Sequence, residues 1–447
     1  MKKTLLFTFG LLSSATFAQE HFSGINISRR TGLLNASINP AELTNLKNDY
    51  EVNVFSFSGN IANNKMTFGD LVGSNDNFDD MLFAGNEPVN MRADVEILGP
   101  AFGFKMKKWA FAITTGAKIK ADIIDVNPAL GRALTNGVNS IDQATAIIAN
   151  YNQKTSATTW GEIGLSAARE LYNSEEHKFS AGVTFKMLFP GSYANIAAGN
   201  FRGTIQSNLG DVNLTDASAM VNVAYSGSLA DDFTDSGNFN DFFGGGLNGF
   251  ATDIGVDYQW KDTESTGYKL NAGLAVRNIG SMTFKDSNNV SRNYSLVVPQ
   301  GQSLDLNQFE NVSDLKELEQ ILLNNPQFFT AQQAEKNFKV SLPTMLSAYT
   351  DVKLYMKWFA SFYMQQKMNK DNDNQQIAIQ NIFTITPRYS ANSFEVYTPL
   401  SNNEISGFTA GVGLRLGGFF IGSGSILSAA LGDTDQADAY MGFRFGF

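Results

Sequence analysis

Seven charged residues occupy unusual positions in this sequence. Glu162, Asp253, Asp257, Arg277, Lys357, Arg415 and Arg444 each fall inside a segment that alternates apolar and polar residues, on its polar side. Mid-strand charges of both signs support two kinds of chemistry. They can hold one another in ion pairs that fill a narrow interior, or they can line an electrostatic constriction on a substrate path. A basic residue facing lipid near the bilayer midplane costs about 2–4 kcal/mol. All seven are therefore expected to face a lumen.

Little else in the chain suits catalysis. There is no Cys, and the two histidines, His21 and His177, are far apart. Thiolate chemistry is excluded and a zinc site is not expected. Gly244 to Gly249 carries the letters of a dinucleotide fingerprint, but it precedes a strand and lacks the helix N-terminus that would hold phosphate. Asp371-Asn372-Asp373-Asn374 starts like a calcium loop, yet Ile382 stands where the twelfth-position Glu belongs. Asp433, Asp435 and Asp438 gather near a predicted rim, a candidate position for a divalent ion. No Ser/His or carboxylate constellation appears. The expectation is a protein that is not an enzyme and uses no cofactor or metal.

The elements that must position the charges are strands. Asp438 to Phe447 alternates without a fault, with Phe443, Phe445 and Phe447 on one face and Arg444 on the other. Similar alternation recurs, for example over 109–120, 178–189, 250–260, 268–277, 354–364, 377–385 (Ile377, Ile379, Phe383 and Ile385) and 408–416. Gly99-Pro100 changes the phase of one such run, as a bulge would. Short connections (Met106–Lys108, Tyr172–Glu176, Lys261–Thr266, Tyr349–Val352, Tyr389–Asn392) alternate with long ones (Asn60–Arg92, Ala121–Thr158, Gly280–Asn337, Ser425–Ala437). Short periplasmic turns and long extracellular loops are the pattern of an outer-membrane barrel. The count is about 14 strands if Pro190–Asn248 is one outer excursion. It is 16 if Tyr193–Gln206 and Ala219–Leu229 both cross. One helix is expected in the long loop 280–337, capped by Asp314 with Glu317 three residues on.

Residues 1–18 read as a signal peptide: Lys2 and Lys3, an apolar run from Leu5 to Leu12, then Thr16 and Ala18 before Gln19. The formal charge of −10 would become about −12 without the two lysines, which argues against nucleic acid as a partner. Residues 19–48 precede the first strand and contain Asn39-Pro40-Ala41 as a candidate turn. They form either a periplasmic arm or a lumen plug. Residues 49–447 form the barrel.

Three features carry a family resemblance: Asn39-Pro40-Ala41 before the first strand, the Gly-rich stretch from Gly407 to Gly424 around Arg415, and the terminal strand. The terminal strand resembles the insertion signal of bacterial outer-membrane barrels, carried here by Phe443, Phe445 and Phe447. The tripeptide resembles that of FadL-type fatty-acid transporters, and of barrels of the PorV and PorP/SprF kind linked to type IX secretion and gliding. The resemblance implies an all-β, transmembrane antiparallel barrel that takes up a hydrophobic small molecule past a plug. The alternative is a non-transporting subunit of a secretion, assembly or motility complex. Expected partners are outer-membrane lipid and lipopolysaccharide, the barrel assembly machinery during biogenesis, and either a hydrophobic ligand or an outer-membrane protein.

Overall fold

The computed structural model describes residues 21–28, 30–72, 78–135, 144–208, 211–230, 242–264, 267–285, 288–310, 312 and 314–447. The expected signal peptide lies outside them. The chain forms one closed antiparallel ring of 14 strands, the smaller of the two expected counts.

The ring runs in chain order. It starts with β1 (Tyr50–Asn63), then β2 (Val89–Leu98) and β3 (Ala101–Met106), which share one stave, then β4 (Trp109–Val126), β6 (Asn152–Asn173) and β7 (His177–Asn208). It continues through β9 (Gly249–Lys261) and β10 (Tyr268–Lys285) to the split stave of β13 (Asn337–Ser341) and β14 (Met345–Tyr355). Next come β15 (Trp358–Lys367), β16 (Ile382–Ser390), and the split staves β17 (Phe394–Tyr397) with β18 (Leu400–Asn403) and β19 (Gly407–Ala410) with β20 (Val412–Leu416). β21 (Phe419–Ser423) and β22 (Gln436–Gly446) close it, and β22 pairs with β1 along its whole length. Closure leaves no unpaired edge, the condition for a sheet to cross lipid.

The split staves break where the backbone cannot continue the ladder. Gly99-Pro100 interrupts the second stave, as its phase change predicts, and Asn53 Nδ2 fills the gap by donating to Gly99 O at 3.0 Å. Outward positions are apolar, and Phe443, Phe445 and Phe447 are all exposed there. Tyr50, Trp109, Tyr172, Trp260, Tyr355 and Trp358 ring the short-turn end, the aromatic girdle of a membrane interface. Among the described residues, no helix is long and apolar enough to cross a membrane. The crossing is made by strands.

Tyr193–Gln206 and Ala219–Leu229 are largely extended but do not cross. β7 has 32 residues, and only its first half pairs with β9. Its second half rises above the ring and pairs with β8 (Asp211–Ser226). β11 (Val290–Asp305) then pairs with β8, and the short β5 (Thr145–Ile148) and β12 (Phe329–Ala331) border this outer sheet. The expected helix spans Leu315–Asn324, and Asp314 accepts a hydrogen bond from the Glu317 N–H at 2.7 Å. It packs against this sheet.

Three local readings are corrected. The run 354–364 is not one strand, because Met356 and Lys357 form a two-residue turn between β14 and β15. Tyr349–Val352, read as a turn, is the interior of β14. Ile377 and Ile379 are buried in a loop that precedes β16 and not in a strand.

Candidate functional site

Six of the seven predicted charges reach the lumen, and each has partners there. Asp253 pairs with Lys186 at 2.8 Å, Glu162 with Lys118 at 3.7 Å, Arg415 with Glu395 at 2.7 Å and Arg444 with Glu51 at 2.8 Å. Arg277 donates to Ser347 Oγ, Gln365 Oε1 and Tyr363 OH at 2.8–3.1 Å and to the Ser37 carbonyl at 3.0 Å. Asp257 accepts from Asn45 Nδ2 at 2.8 Å and Tyr349 OH at 3.1 Å. Lys357 is the exception. It sits exposed in the turn before β15 and does not line the lumen.

Much of the network was not singled out from the sequence. Arg92, Asp94, Glu96, Lys120, Asp122, Asp351, Arg388 and Glu395 also point inward and are buried. Their signal was there: each occupies an inward position of its strand.

The described residues between His21 and Asn48 lie inside the ring. Ser28 Oγ donates to Glu395 at 2.9 Å, the Arg30 guanidinium to Ser390 and Asn392, and Tyr440 OH donates to Ser23 O at 2.6 Å. Asn39-Pro40-Ala41 starts a short 3-10 helix, Pro40–Asn45, in which the Asn39 side chain accepts from the Ala41 N–H and Pro40 supplies the preset first φ. The other end of the Asn39 amide donates to Val256 O at 2.8 Å and to Tyr349 OH at 3.2 Å. Three wall glycines on adjacent strands make the seat. A Cβ on Gly182 would lie 2.5 Å from the Pro40–Ala41 peptide, and Cβ atoms on Gly255 and Gly273 would lie 2.0 and 2.6 Å from the Asn39 amide. Only glycine permits that approach.

Above this segment lies a polar cavity of about 120 Å³ among His21, Glu96, Lys118, Glu162, Lys186 and Arg277. Trp160 lines it on one side and belongs to an apolar cluster with Tyr193, Met282, Phe284, Phe338 and Val340. The loop between β15 and β16 crosses the mouth. Its Asp371 pairs with Arg92 at 3.0 Å, and the carbonyls of Asp371, Asp373 and Gln376 receive Lys154 Nζ at 2.5–3.2 Å. Burial alone would raise the Asp371 pKa, but Arg92 and Lys367 outweigh it and hold the carboxyl below its ordinary range.

A second, larger cavity of about 270 Å³ lies on the other side of the wall. On β4, Ile123 shares parity with the outward Ile113; on β6, Thr155 and Ala157 share it with the outward Leu165. Thr155 is opposite Ile196 and Ala157 opposite Ala194 on β7, and Ala198 opposes Val221 on β8. This face continues the lipid side of the wall above the ring. The helix Leu315–Asn324 covers it with Leu315, Leu318 and Leu322, and Phe309, Phe329 and Leu130 complete the chamber. A polar latch holds the helix. Glu319 accepts from Tyr225 OH at 2.6 Å, Tyr294 OH at 3.0 Å and Arg292 at 3.0 Å. Burial pushes both phenols up, and Glu319 adds to it. The sequence signalled the capped helix but not the chamber, whose walls come from strands and loops far apart in the chain.

Asp438, one of the rim carboxylates, is buried and accepts from Ser423 Oγ at 2.6 Å. The Asp371–Asn374 run is engaged as described. Among the described residues, no cluster of ligands suits a metal ion.

A closed ring with an apolar exterior, a girdle of aromatics and a lumen filled by the chain's own N-terminal segment defines a plugged transmembrane β-barrel of the outer-membrane type. The chain belongs to DUF5723, a family of unknown function, whose pattern matches residues 40–424. No curated protein sequence is detectably similar. Among solved structures, it is similar to a mutant of the monoaromatic hydrocarbon channel TodX, with TM-score 0.47 and 10% identity over 93% of this chain and 95% of that one. It is also similar to the Ralstonia pickettii toluene transporter TbuX, with TM-score 0.42 and 10% identity over 94% of each chain. A Pseudomonas aeruginosa FadL homologue gives TM-score 0.42 and 8% identity over 96% and 98% of the two chains.

Proposed function

We propose that this protein is an outer-membrane barrel that captures an apolar small molecule at its extracellular end for uptake. The observation that carries the reading is the apolar chamber of about 270 Å³ under the helix Leu315–Asn324. Solvent-facing surface has no reason to build an apolar hollow of that size. Filling it would remove apolar surface of both ligand and wall from water, worth about 25 cal/mol per Å². Ala198→Trp places an indole in the hollow. In amphipol, the wild type is expected to bind the apolar fluorophore 1-N-phenylnaphthylamine and Ala198→Trp to lose at least about tenfold in affinity. Equal binding by both proteins, or none by the wild type, would refute the reading.

The filled lumen supports a second reading, a subunit of an outer-membrane complex that does not transport. The discriminating result is a stoichiometric protein partner in a native pull-down from mild detergent, combined with no binding of the fluorophore.

A further inference from the structure

The apolar chamber has a buried amide on its wall. Gln153 on β6 shares the parity of Thr155 and Ala157, so its side chain is on the chamber face, where it is 3% exposed. Its Oε1 accepts from the Asn127 N–H at 2.7 Å. Asn127 in turn caps the helix Pro128–Thr135, accepting from the Ala129 and Leu130 N–H groups at 3.0 and 3.3 Å. That chain of bonds fixes the amide, since a flipped Gln153 would set N–H against N–H. Its Nε2 is then directed away from Asn127 and has no hydrogen-bond partner. A buried donor left unpaired costs about 1–3 kcal/mol.

The other polar groups nearby are engaged or face elsewhere. Lys154 and Ser156 have the opposite parity, and the Lys154 ammonium is held by three loop carbonyls. The Arg132 guanidinium donates to the Phe83 carbonyl. Thr155 adds a hydroxyl to the same face two residues on, and the remaining chamber-side lining is apolar. Among the described residues the chamber thus offers an amide donor and a hydroxyl, with no cation directed into it to balance a carboxylate.

We infer that the chamber takes a neutral apolar molecule bearing one hydrogen-bond-accepting oxygen, such as a ketone, aldehyde or ester, with Gln153 Nε2 donating to that oxygen. This rests on the capture reading above and narrows it: neither a bare hydrocarbon nor an ionised fatty acid satisfies the site.

Ethylbenzene and acetophenone test it, because they share a skeleton and differ by one carbonyl. Both are titrated calorimetrically into the full-length barrel in amphipol, and the infrared C=O band of bound acetophenone is recorded. In the wild type the band is expected below its position in cyclohexane. In Gln153→Met that shift should vanish and acetophenone affinity fall about fivefold to tenfold, while ethylbenzene affinity holds within about twofold. A wild-type band at the cyclohexane position overturns the inference even if the variant fails to fold. Unchanged acetophenone binding in a variant that still binds ethylbenzene also overturns it and leaves the capture reading intact. Failure of the wild type to bind either ligand sinks both.

Discussion

Glu395 shows how single residues hold this molecule together. Its carboxylate receives Arg415 at 2.7 Å and Ser28 at 2.9 Å, with Arg30 and Arg388 within 3.9 Å. It thus joins three staves to the lumen segment, and it is fully buried. Removing one partner of a buried ion pair costs about 3–5 kcal/mol, because the remaining charge is left uncompensated. Glu395→Ala is therefore expected to destabilise the refolded barrel by that order, read as a lower urea midpoint, whereas Glu395→Gln, which loses the charge but keeps the side chain's shape and one accepting oxygen, costs less. Equal midpoints for Ala and wild type would contradict the assignment. The opposite face follows another rule. Leu414 is flanked by the outward Val396 and Ile421, so Leu414→Arg places a charge on lipid, at about 2–4 kcal/mol. Folding yield into bilayers should fall accordingly. Thr409 points inward but is completely buried, so an arginine there meets a packed lumen, not water.

At the scale of elements, the loop between β15 and β16 is a latch whose strength depends on acid. Arg92 and Lys367 keep the Asp371 carboxyl below its ordinary value of 3.8. A depressed carboxyl contributes stability that is fully present above the unfolded value and is lost as pH falls through the folded one. The latch should therefore hold at neutral pH and loosen below about pH 4. Amide exchange of residues 369–381 reports it: faster exchange at pH 3 than at pH 6, beyond the intrinsic pH effect, and the same gain at pH 6 in Asp371→Asn. Exchange that does not depend on Asp371 would remove the latch. Most staves were legible because lipid outside and ion pairs inside enforce a strict period of two. The β14–β15 turn was hidden for a related reason. Met356 adopts φ 49° without a Gly or Asn to mark it, and a two-residue turn preserves the alternation on both sides. Lys357 was misplaced in consequence. The chamber was illegible because its apolar face belongs to strands that rise above the membrane, where the pattern continues but the surroundings change.

For the whole molecule, two closures stand in series along the lumen. The lower is the segment His21–Asn48, seated on Gly182, Gly255 and Gly273. The upper combines the apolar side chains around Trp160 with the loop that carries Asp371 to Arg92 on the far stave. Resistances in series add, so the tighter closure sets the current. A ring of 14 strands is already narrower than the 16–18 that leave an aqueous channel. The wild type is therefore expected to show no wide, steady conductance in planar bilayers. Deleting residues 19–46 alone should change little, because the upper closure remains. Replacing residues 369–380 by a short Gly-Ser turn alone should also change little. Only the two changes together should open steady conductance. If either single variant conducts as well as the double one, that closure is the sole barrier and the serial arrangement is wrong. If the wild type itself conducts widely, the lumen is open and the plugged reading falls with it.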